Sequence, residues 1–416
     1  MAEATYINDK VLEQDPWSLP LEDINPAQPE LFANDMQWEY FARLRKDAPV
    51  HYCKDSLAGP YWSVTRYQDI KYVDTNHELF SSEPNIVLQD PDADFPLPMF
   101  IAMDPPKHDN QRKEVAAVAG PRNLKALEPT IRERVCNILD SLPVGEPFNL
   151  VELVSIELTT QMLATLFDFP FEEREKLTRW SDVATAAPGM GIVESEEQRQ
   201  MELTQCLTRF TELWNERVNH EPGNDLISML AHGESTRDMG PMEYLGNLVL
   251  LIVGGNDTTR NSITGGVLAL NENPDQYEKL RADHSLIPNM VSEIIRWQTP
   301  LAYMKRSVLK DTELGGQKLR AGEKVAMWYV SGNRDPEVFK NPDKFLIDRP
   351  NARSHMAFGF GIHRCMGNRV AEMQLRVLWE EILERFHTVR VMDNPVRVSS
   401  SFVKGYKELN VVLEKA

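Results

Sequence analysis

The chain has 416 residues and carries 63 acidic against 45 basic side chains, a formal net charge of −18 at pH 7. This charge argues against general nucleic-acid binding, which needs a basic surface, and a hydrophobic content of 42% argues against a disordered chain. The length permits two or three domains, but no repeat, low-complexity tract or linker divides it. We therefore expect residues 1–416 to form a single domain.

Targeting signals and cysteine usage both indicate a soluble protein of the cytoplasm. The N-terminal segment MAEATYINDKVLEQDPW lacks a basic region followed by an apolar run, so no signal peptide is expected. The most apolar run, residues 248–255, is too short to span a bilayer of about 30 Å. The four cysteines, Cys53, Cys136, Cys206 and Cys365, lack C-x-x-C spacing, which argues against a disulfide framework or a zinc cluster.

In chain order, most of the predicted elements are helices, with a few short strands. An early strand is predicted at 61–65, and the proline- and aspartate-rich segment 81–106 predicts a long loop, a kind that is often functional. Helical patterns run through 123–231 with a break at TAAPGMGIVES, residues 185–195. Strand-like alternation with glycine turns returns in 304–335.

One cysteine stands in a segment rich in glycine, FGFGIHRCMG, directly before a predicted helix at 368–386. A helix N-terminus favours an anion, including a thiolate at Cys365. Gly359, Gly361 and Gly367 permit tight turns and the close approach of a flat or bulky group. The residues alone leave three alternatives for Cys365: a structural cysteine, a nucleophile or a thiolate metal ligand.

The segment LLIVGGNDTTRNS also departs from ordinary helix composition. Gly254 and Gly255 each weaken a helix by about 1 kcal/mol relative to alanine. Asp257 and Thr258 follow an apolar run, where burial of polar groups costs free energy. A helix that ends here before a new N-cap and a functional site within a helix both remain open.

Two charged pairs occur at helical spacing. Glu293 and Arg296, in EIIR, are separated by three residues, and His108 and Arg112 are separated by four on a helix predicted to begin after Pro106. In isolation, each pair would be an ordinary surface contact worth about 0.3–0.5 kcal/mol.

Taken together and in this order, the four segments resemble the cytochrome P450 superfamily. The pattern F-x-x-G-x-H-x-C-x-G, filled by Phe358, Gly361, His363, Cys365 and Gly367, is similar to its haem-binding loop. The resemblance implies a mainly α-helical triangular prism with small β-sheets around a buried haem b, whose iron the cysteine thiolate would ligate. It also implies an enzyme, a monooxygenase that inserts one oxygen atom from O2 into a C–H bond.

The same resemblance implies roles for individual residues. Thr258 would hydrogen-bond the oxygen being activated and Asp257 would relay protons from solvent, while Gly254 and Gly255 would open the helix beside the haem. The Glu293–Arg296 pair would support the core around the haem, usually with a third arginine; Lys344 stands at that place, and Arg334 and Arg349 are the alternatives. The implied cofactor contacts, with propionates or with the ring, are His108, Arg112, Arg306, His363, Phe358, Gly359 and Gly367.

Electrons would come from separate proteins, because no flavin or nicotinamide fingerprint follows a predicted strand. The family implies a ferredoxin, served by a ferredoxin reductase, as the partner of a monomer. Lys113, Arg364 and Arg369 would form a local basic patch for the acidic ferredoxin.

The quoted segments further resemble the bacterial subgroup that hydroxylates n-alkanes and fatty acids at the terminal carbon. The same chemistry on a terpenoid or steroid is the first alternative, and a non-catalytic haem-binding sensor is the second. The residues expected to line the substrate channel, each of which could equally be ordinary core, are Ile86, Val87, Leu251, Leu301, Met304, Phe402 and the break at 188–192.

Overall fold

Helices dominate the structure, which confirms the mainly α-helical fold class. The computed structural model describes residues 9–186, 188–189 and 191–415. The α-helices are α1 (Pro29–Ala33), α2 (Gln37–Asp47), α3 (Tyr67–Thr75), α4 (Lys107–Val115), α5 (Pro121–Ser141), α6 (Glu157–Phe167), α7 (Glu175–Thr185), α8 (Glu196–Arg217), α9 (Leu226–His232), α10 (Pro241–Glu272), α11 (Pro274–Ala282), α12 (Ile287–Gln298), α13 (Tyr329–Gly332) and α14 (Asn368–Arg385). Within those three ranges, none of the helices is both long enough and apolar enough to cross a membrane.

Short strands form small sheets at the edges of this helical body. They are β1 (Val50–Cys53), β2 (Tyr61–Val64), β3 (Phe80–Ser81), β4 (Phe148–Asn149), β5 (Met304–Val308), β6 (Thr312–Leu314), β7 (Gln317–Leu319), β8 (Lys324–Met327), β9 (Phe386–Val391), β10 (Val396–Arg397), β11 (Tyr406–Glu408) and β12 (Asn410–Lys415). The largest sheet has the order β1-β2-β8-β5-β3, in which β2 and β8 are parallel. The predicted strands at 61–65 and within 304–335 are confirmed.

The longest helix, α10, passes through the core. Leu245 and Leu248 in its N-terminal half pack into an apolar cluster with α6, α7 and α8. Ile263 and Val267 in its C-terminal half pack into a second cluster with α12 and α14. A helix that is apolar on most sides is stable only when it is buried in this way.

The GGNDTT segment lies in the middle of α10, which is helical throughout Pro241–Glu272. The alternative of a helix that ends here before a new N-cap is therefore wrong. Packing on both sides of α10 supplies the stability that two successive glycines remove, because helices in proteins depend more on tertiary contacts than on intrinsic propensity.

The predicted loop is confirmed and lies against the N-terminal half of α10. Residues 82–99 contain no helix or strand. The Phe100 N–H donates to Asn247 Oδ1 at 2.9 Å. A Cβ on Gly246 would lie 2.1 Å from the Pro98 carbonyl oxygen, so only glycine permits this close approach.

Two other expectations concern the limits of helices. Residues 368–385 form α14 as predicted, but Phe386 begins β9 because the chain turns into the sheet there. The described residues between α7 and α8 are not helical, which confirms a break; Ala187 and Met190 within it lie outside the described residues. Residues 1–8 also lie outside the described residues. They begin the N-terminal segment in which no signal peptide is expected.

Candidate active site

Cys365 lies between a tight turn and the N-terminus of α14. Gly359 and Gly361 have φ of +66° and +63°, a left-handed conformation that favours glycine. The Cys365 N–H donates to the Phe358 carbonyl at 2.8 Å, which closes the loop. This geometry leaves Cys365 with accessible surface.

The thiol of Cys365 experiences opposing influences. Although Cys365 has accessible surface, the protein atoms packed around the sulfur displace water and raise its pKa, whereas the backbone N–H groups of Gly367 and Asn368 and the charges of Arg112 and Arg364 lower it. These N–H groups belong to the first turn of α14, which confirms that the helix N-terminus faces the sulfur. The protein thus supplies partial support for a thiolate, and a bound cation is needed to complete it.

Asp74, at the end of α3, holds the loop in place, and sequence reasoning missed it. Its Oδ2 accepts hydrogen bonds from the Phe360 N–H at 2.7 Å and from the Tyr329 hydroxyl at 2.9 Å. Its Oδ1 accepts from Arg306 Nη2 at 2.8 Å. No signal in the sequence marks this aspartate, because its partners come from three distant segments.

A cluster of basic side chains lies beside this loop. The rings of His108 and His363 are 4.1 Å apart, and Arg112 donates to the Arg364 carbonyl. Burial, together with the charges of Arg306, His108 and Arg112, lowers the pKa of His363 to about 2. The structure therefore brings together the predicted propionate-binding residues from α4, β5 and the cysteine loop.

The histidines of this cluster have unused hydrogen-bonding capacity. His108 Nδ1 pairs with Asp109 at 2.7 Å, but its Nε2 and both ring nitrogens of His363 are buried and have no partner among the described residues. Unpaired buried nitrogens beside two arginines fit carboxylate groups. The propionates of a haem ligated by Cys365 are compatible with this arrangement.

The two glycines of α10 serve different purposes. A Cβ on Gly255 would lie 2.7 Å from Leu163 Cδ2, so Gly255 permits the packing of α6 against α10. A Cβ on Gly254 would meet nothing within 4 Å, and Gly254 is exposed although it lies at mid-helix. Thr258 lies one turn later, with Oγ1 donating to the Gly254 carbonyl at 2.9 Å. Gly254 and Thr258 therefore face open space from the same side of α10.

Asp257 is fully buried and incompletely paired. Its Oδ1 lies 3.0 Å from Arg260 Nη2 and accepts from the Ser181 hydroxyl at 3.2 Å, whereas Oδ2 has no partner. Burial raises the pKa of Asp257, and the charge of Arg260 opposes that shift. Arg260 also contacts Asp182 at 2.9 Å, whose side chain is 29% exposed. A charged chain therefore leads from the surface of α7 to Asp257.

The Glu293–Arg296 pair is buried rather than on the surface. Arg296 donates to the two oxygens of Glu293 at 2.7 and 2.8 Å, and both side chains are 0% exposed. Arg349 Nε lies 3.1 and 3.0 Å from the same two oxygens. The third arginine is therefore Arg349; Arg334 pairs with Asp343, and Lys344 contributes only its carbonyl.

The six predicted substrate-lining side chains outside the break are half-buried but fall into separate groups. Within the break, Pro188, Gly189 and Gly191 are exposed and Ile192 is half-buried. The Ile86 carbonyl accepts from the Lys305 N–H at 2.8 Å, which places Ile86 and Val87 beside Met304. Leu301 pairs with Val403 across a β-bridge, next to Phe402. Leu251 packs with the α6–α8 cluster instead.

Comparison with known proteins gives a family match and close structural neighbours. The family model described as Cytochrome P450 matches residues 130–408. The structure of Cytochrome P450-153 from Novosphingobium aromaticivorans superposes with a TM-score of 0.88 at 46% sequence identity, covering 96% of this chain and 100% of that one.

Two curated relatives are also similar over almost their whole lengths. Linalool 8-monooxygenase of Pseudomonas putida is 33% identical over 398 residues, 92% of this chain and 97% of the relative. Methyl-branched lipid omega-hydroxylase of Mycobacterium tuberculosis is 31% identical over 425 aligned positions, 98% of each chain.

Proposed function

Because the chain belongs to the cytochrome P450 family of haem-thiolate monooxygenases, we propose that it hydroxylates the terminal carbon of medium-chain n-alkanes or fatty acids. One atom of O2 enters the C–H bond, and two electrons and two protons reduce the other atom to water. The cofactor is haem b with a cysteine thiolate ligand. The proposal rests on the apolar character of all six candidate lining residues. It is supported by the similarity of the chain, over 98% of its length, to a methyl-branched lipid omega-hydroxylase.

In this proposal, Cys365 supplies the thiolate and a cluster of basic residues holds the propionates. The haem iron, when bound, activates O2. The N–H groups of Gly367 and Asn368 stabilise negative charge on the sulfur, and the unpaired nitrogens of His108 and His363 face the carboxylates. Phe358 and Gly359 hold the loop against the ring.

Asp257 and Thr258 deliver protons in the proposed reaction. Asp257 Oδ2 is the unpaired atom that takes up a proton, and Arg260 holds the carboxylate through Oδ1. Within the described contacts, no hydrogen bond joins the side chains of Asp257 and Thr258. The Thr258 proton is engaged by the Gly254 carbonyl, so the hydroxyl oxygen is free to accept a hydrogen bond and thereby to orient a proton that is delivered from the side of Asp257.

Terminal selectivity requires that the protein restrict the orientation of the substrate. A terminal C–H bond is stronger than a secondary one, so intrinsic reactivity disfavours the methyl group, and only a narrow apolar channel can present it alone. Each buried methylene adds about 0.8 kcal/mol, so chain length sets affinity without polar contacts.

A terpenoid substrate is the second candidate, because a linalool 8-monooxygenase is among the relatives. The deciding experiment supplies the haem-loaded protein with NADH and a surrogate ferredoxin system, and then analyses products from C6–C16 alkanes, the matching fatty acids, linalool and a steroid. We expect primary alcohols from the linear chains. Subterminal alcohols only, or product from linalool or the steroid alone, would contradict the proposal.

Electron supply and cellular location complete the proposal. We propose that a ferredoxin reduces the protein in the cytoplasm and docks at Lys113, Arg364 and Arg369, which are all exposed. Arg364 lies in the cysteine loop and Arg369 in the first turn of α14, and Arg112, beside Lys113, contacts that loop. The basic residues therefore surround the side of the protein nearest Cys365.

A further inference from the structure

A cavity of about 310 Å³ lies between α2 and the C-terminal part of α10. Its apolar wall includes Leu268 and Ala269 of α10 and Trp297 of α12. These α10 residues begin ten positions beyond Thr258, about 15 Å farther along the helix axis. The cavity is therefore separate from the position where oxygen is activated.

Buried cations form the opposite wall. Arg334 is 5% exposed and stacks between two indoles, with its guanidinium carbon 3.6 Å from the Trp297 ring centre and 4.2 Å from that of Trp38. Its Nη1 pairs with Asp343 at 3.3 Å, and its Nε is enclosed by protein atoms and has no partner among the described residues. The guanidinium therefore has only one carboxylate partner within the described residues, which leaves capacity for a further acceptor from the cavity.

Lys404 is a second buried cation in the same cavity. It is 7% exposed, and its Nζ lies 5.3 Å from the Trp38 ring centre, so the same indole contacts both Lys404 and Arg334. The ammonium donates only to the two oxygens of Gln298, at 3.2 and 3.4 Å. In the part of the chain that the structure describes, Lys404 forms no ion pair.

The carboxylates of the cavity lie at its mouth. Glu39, Glu272 and Asp343 are exposed and Asp35 is half-buried. Asp35 already pairs with Arg397 at 3.1 Å. The interior of the cavity therefore contains more unpaired positive than negative charge, although the lining includes equal numbers of basic and acidic side chains.

We propose that this cavity binds a small organic acid, whose carboxylate contacts the guanidinium of Arg334 and Lys404 Nζ and whose apolar part packs on Leu268, Ala269 and Trp297. An ammonium and a guanidinium recognise a carboxylate through charge-assisted hydrogen bonds. The apolar wall, and a volume larger than an inorganic anion needs, favour an organic ligand.

The titration of Lys404 supports this assignment. Its pKa is lowered to about 7, mainly by burial; the charges of Arg397 and Arg334 act in the same direction, whereas those of Asp35 and Glu272 oppose the shift. Lys404 is therefore charged below pH 7 and neutral above it. Affinity for the acid should fall about tenfold between pH 6 and pH 8.

The test is calorimetric titration of the haem-loaded protein with 4-bromobenzoate, and with 4-bromobenzamide as the uncharged comparison. We expect the benzoate to bind and the amide not to bind. Arg334→Gln and Lys404→Met should each weaken binding about tenfold. Lys407→Met, an exposed lysine on β11, is the matched control and should leave affinity unchanged.

The position of the ligand is tested separately on the unaltered protein, so a variant that fails to fold does not decide the matter. Crystals soaked with 4-bromobenzoate should show the bromine beside Leu268 and Trp297. Absence of binding, equal affinity in both variants and the control, or a bromine atom in the haem pocket would each overturn the proposal. Hydroxylation of linear chains is independent of all these outcomes.

Discussion

At the residue scale, two buried aspartates differ in how completely their oxygens are paired. Asp74 uses both oxygens to accept from Arg306, Tyr329 and the Phe360 N–H. Asp257 leaves Oδ2 unpaired, and burial raises its pKa. A satisfied buried carboxylate is held in one place, whereas an unpaired one can gain or lose a proton at small structural cost.

Thr258→Ala is expected to uncouple oxygen consumption from product formation. Without the hydroxyl, proton delivery fails and reduced oxygen leaves as hydrogen peroxide, so product per NADH falls about tenfold or more. Peroxide and alcohol yields measured side by side test this. Ser262→Ala removes a hydroxyl one turn away on α10, bonded to the Thr258 carbonyl at 2.8 Å, and should keep its coupling. Unchanged coupling in Thr258→Ala would refute the role of Thr258.

Arg260→Gln is expected to displace the pH dependence of coupled turnover. Arg260 opposes the effect of burial on the pKa of Asp257, so its removal raises that pKa further. Because the relay requires the ionised carboxylate, the acid limb of the profile should move to higher pH. Arg260→Lys keeps the charge, so the pH profile of this variant should lie close to that of the unaltered enzyme. Equal shifts in both variants would show that the charge of Arg260 is not responsible.

At the scale of elements, α10 combines a packing requirement with an open face. Gly255 is required by Leu163 of α6, and Gly254 faces open space together with Thr258. Gly255 therefore lies on the side of α10 that packs against α6, whereas Gly254 lies on the side that carries Thr258.

The two glycines are expected to respond differently to alanine. Gly255→Ala should lower the free energy of unfolding by about 1–3 kcal/mol, because the new methyl group meets Leu163 in a packed core. Gly254→Ala meets no protein atom within 4 Å and should cost less stability than Gly255→Ala, because alanine also favours the helix. Urea unfolding followed by circular dichroism measures both. Equal destabilisation by the two substitutions would contradict the packing assignment.

The buried network on α12 is expected to depend on Glu293. Glu293→Gln leaves Arg296 and Arg349 as buried, unbalanced cations and should cost about 3–5 kcal/mol of stability with loss of haem loading. Lys344→Ala should change stability by less than about 0.5 kcal/mol, because only the backbone of Lys344 takes part. Denaturant midpoints and haem content test the pair; a large effect of Lys344→Ala would mean that its side chain belongs to the network.

At the scale of the whole molecule, an acidic protein presents a local basic region. The net charge of −18 coexists with exposed Lys113, Arg364 and Arg369 near Cys365. Long-range charge would repel an acidic ferredoxin, so local complementarity must guide the encounter.

Charge reversal in this patch is expected to slow reduction by ferredoxin. Lys113→Glu, Arg364→Glu and Arg369→Glu should each lower the association rate and flatten its dependence on ionic strength. Stopped-flow reduction at several salt concentrations measures this. Lys318→Glu, exposed on β7, is the control and should retain the original salt dependence. Identical behaviour of patch and control variants would exclude docking at this surface.

Much of the candidate site follows from local sequence patterns, because its motifs are contiguous. The loop 358–367 and the glycine pair of α10 each lie within one short segment, so their spacing is visible in the sequence. The helix that bears His108 and Arg112 begins directly after Pro106, as predicted. The choice of Arg349 could not be made in this way, because it requires the approach of a loop about fifty residues beyond Glu293.

The sequence by itself determined the mainly helical fold, the family, the cysteine loop and the helix that carries Asp257 and Thr258, since each depends on neighbours along the chain. Only the tertiary structure decided that α10 is continuous, that Asp74 holds the cysteine loop, and that Arg334 and Lys404 share a cavity. These features join segments far apart in the chain, and burial determines whether a charge is paired. Composition and motif spacing do not reveal which distant segments surround a given charged side chain.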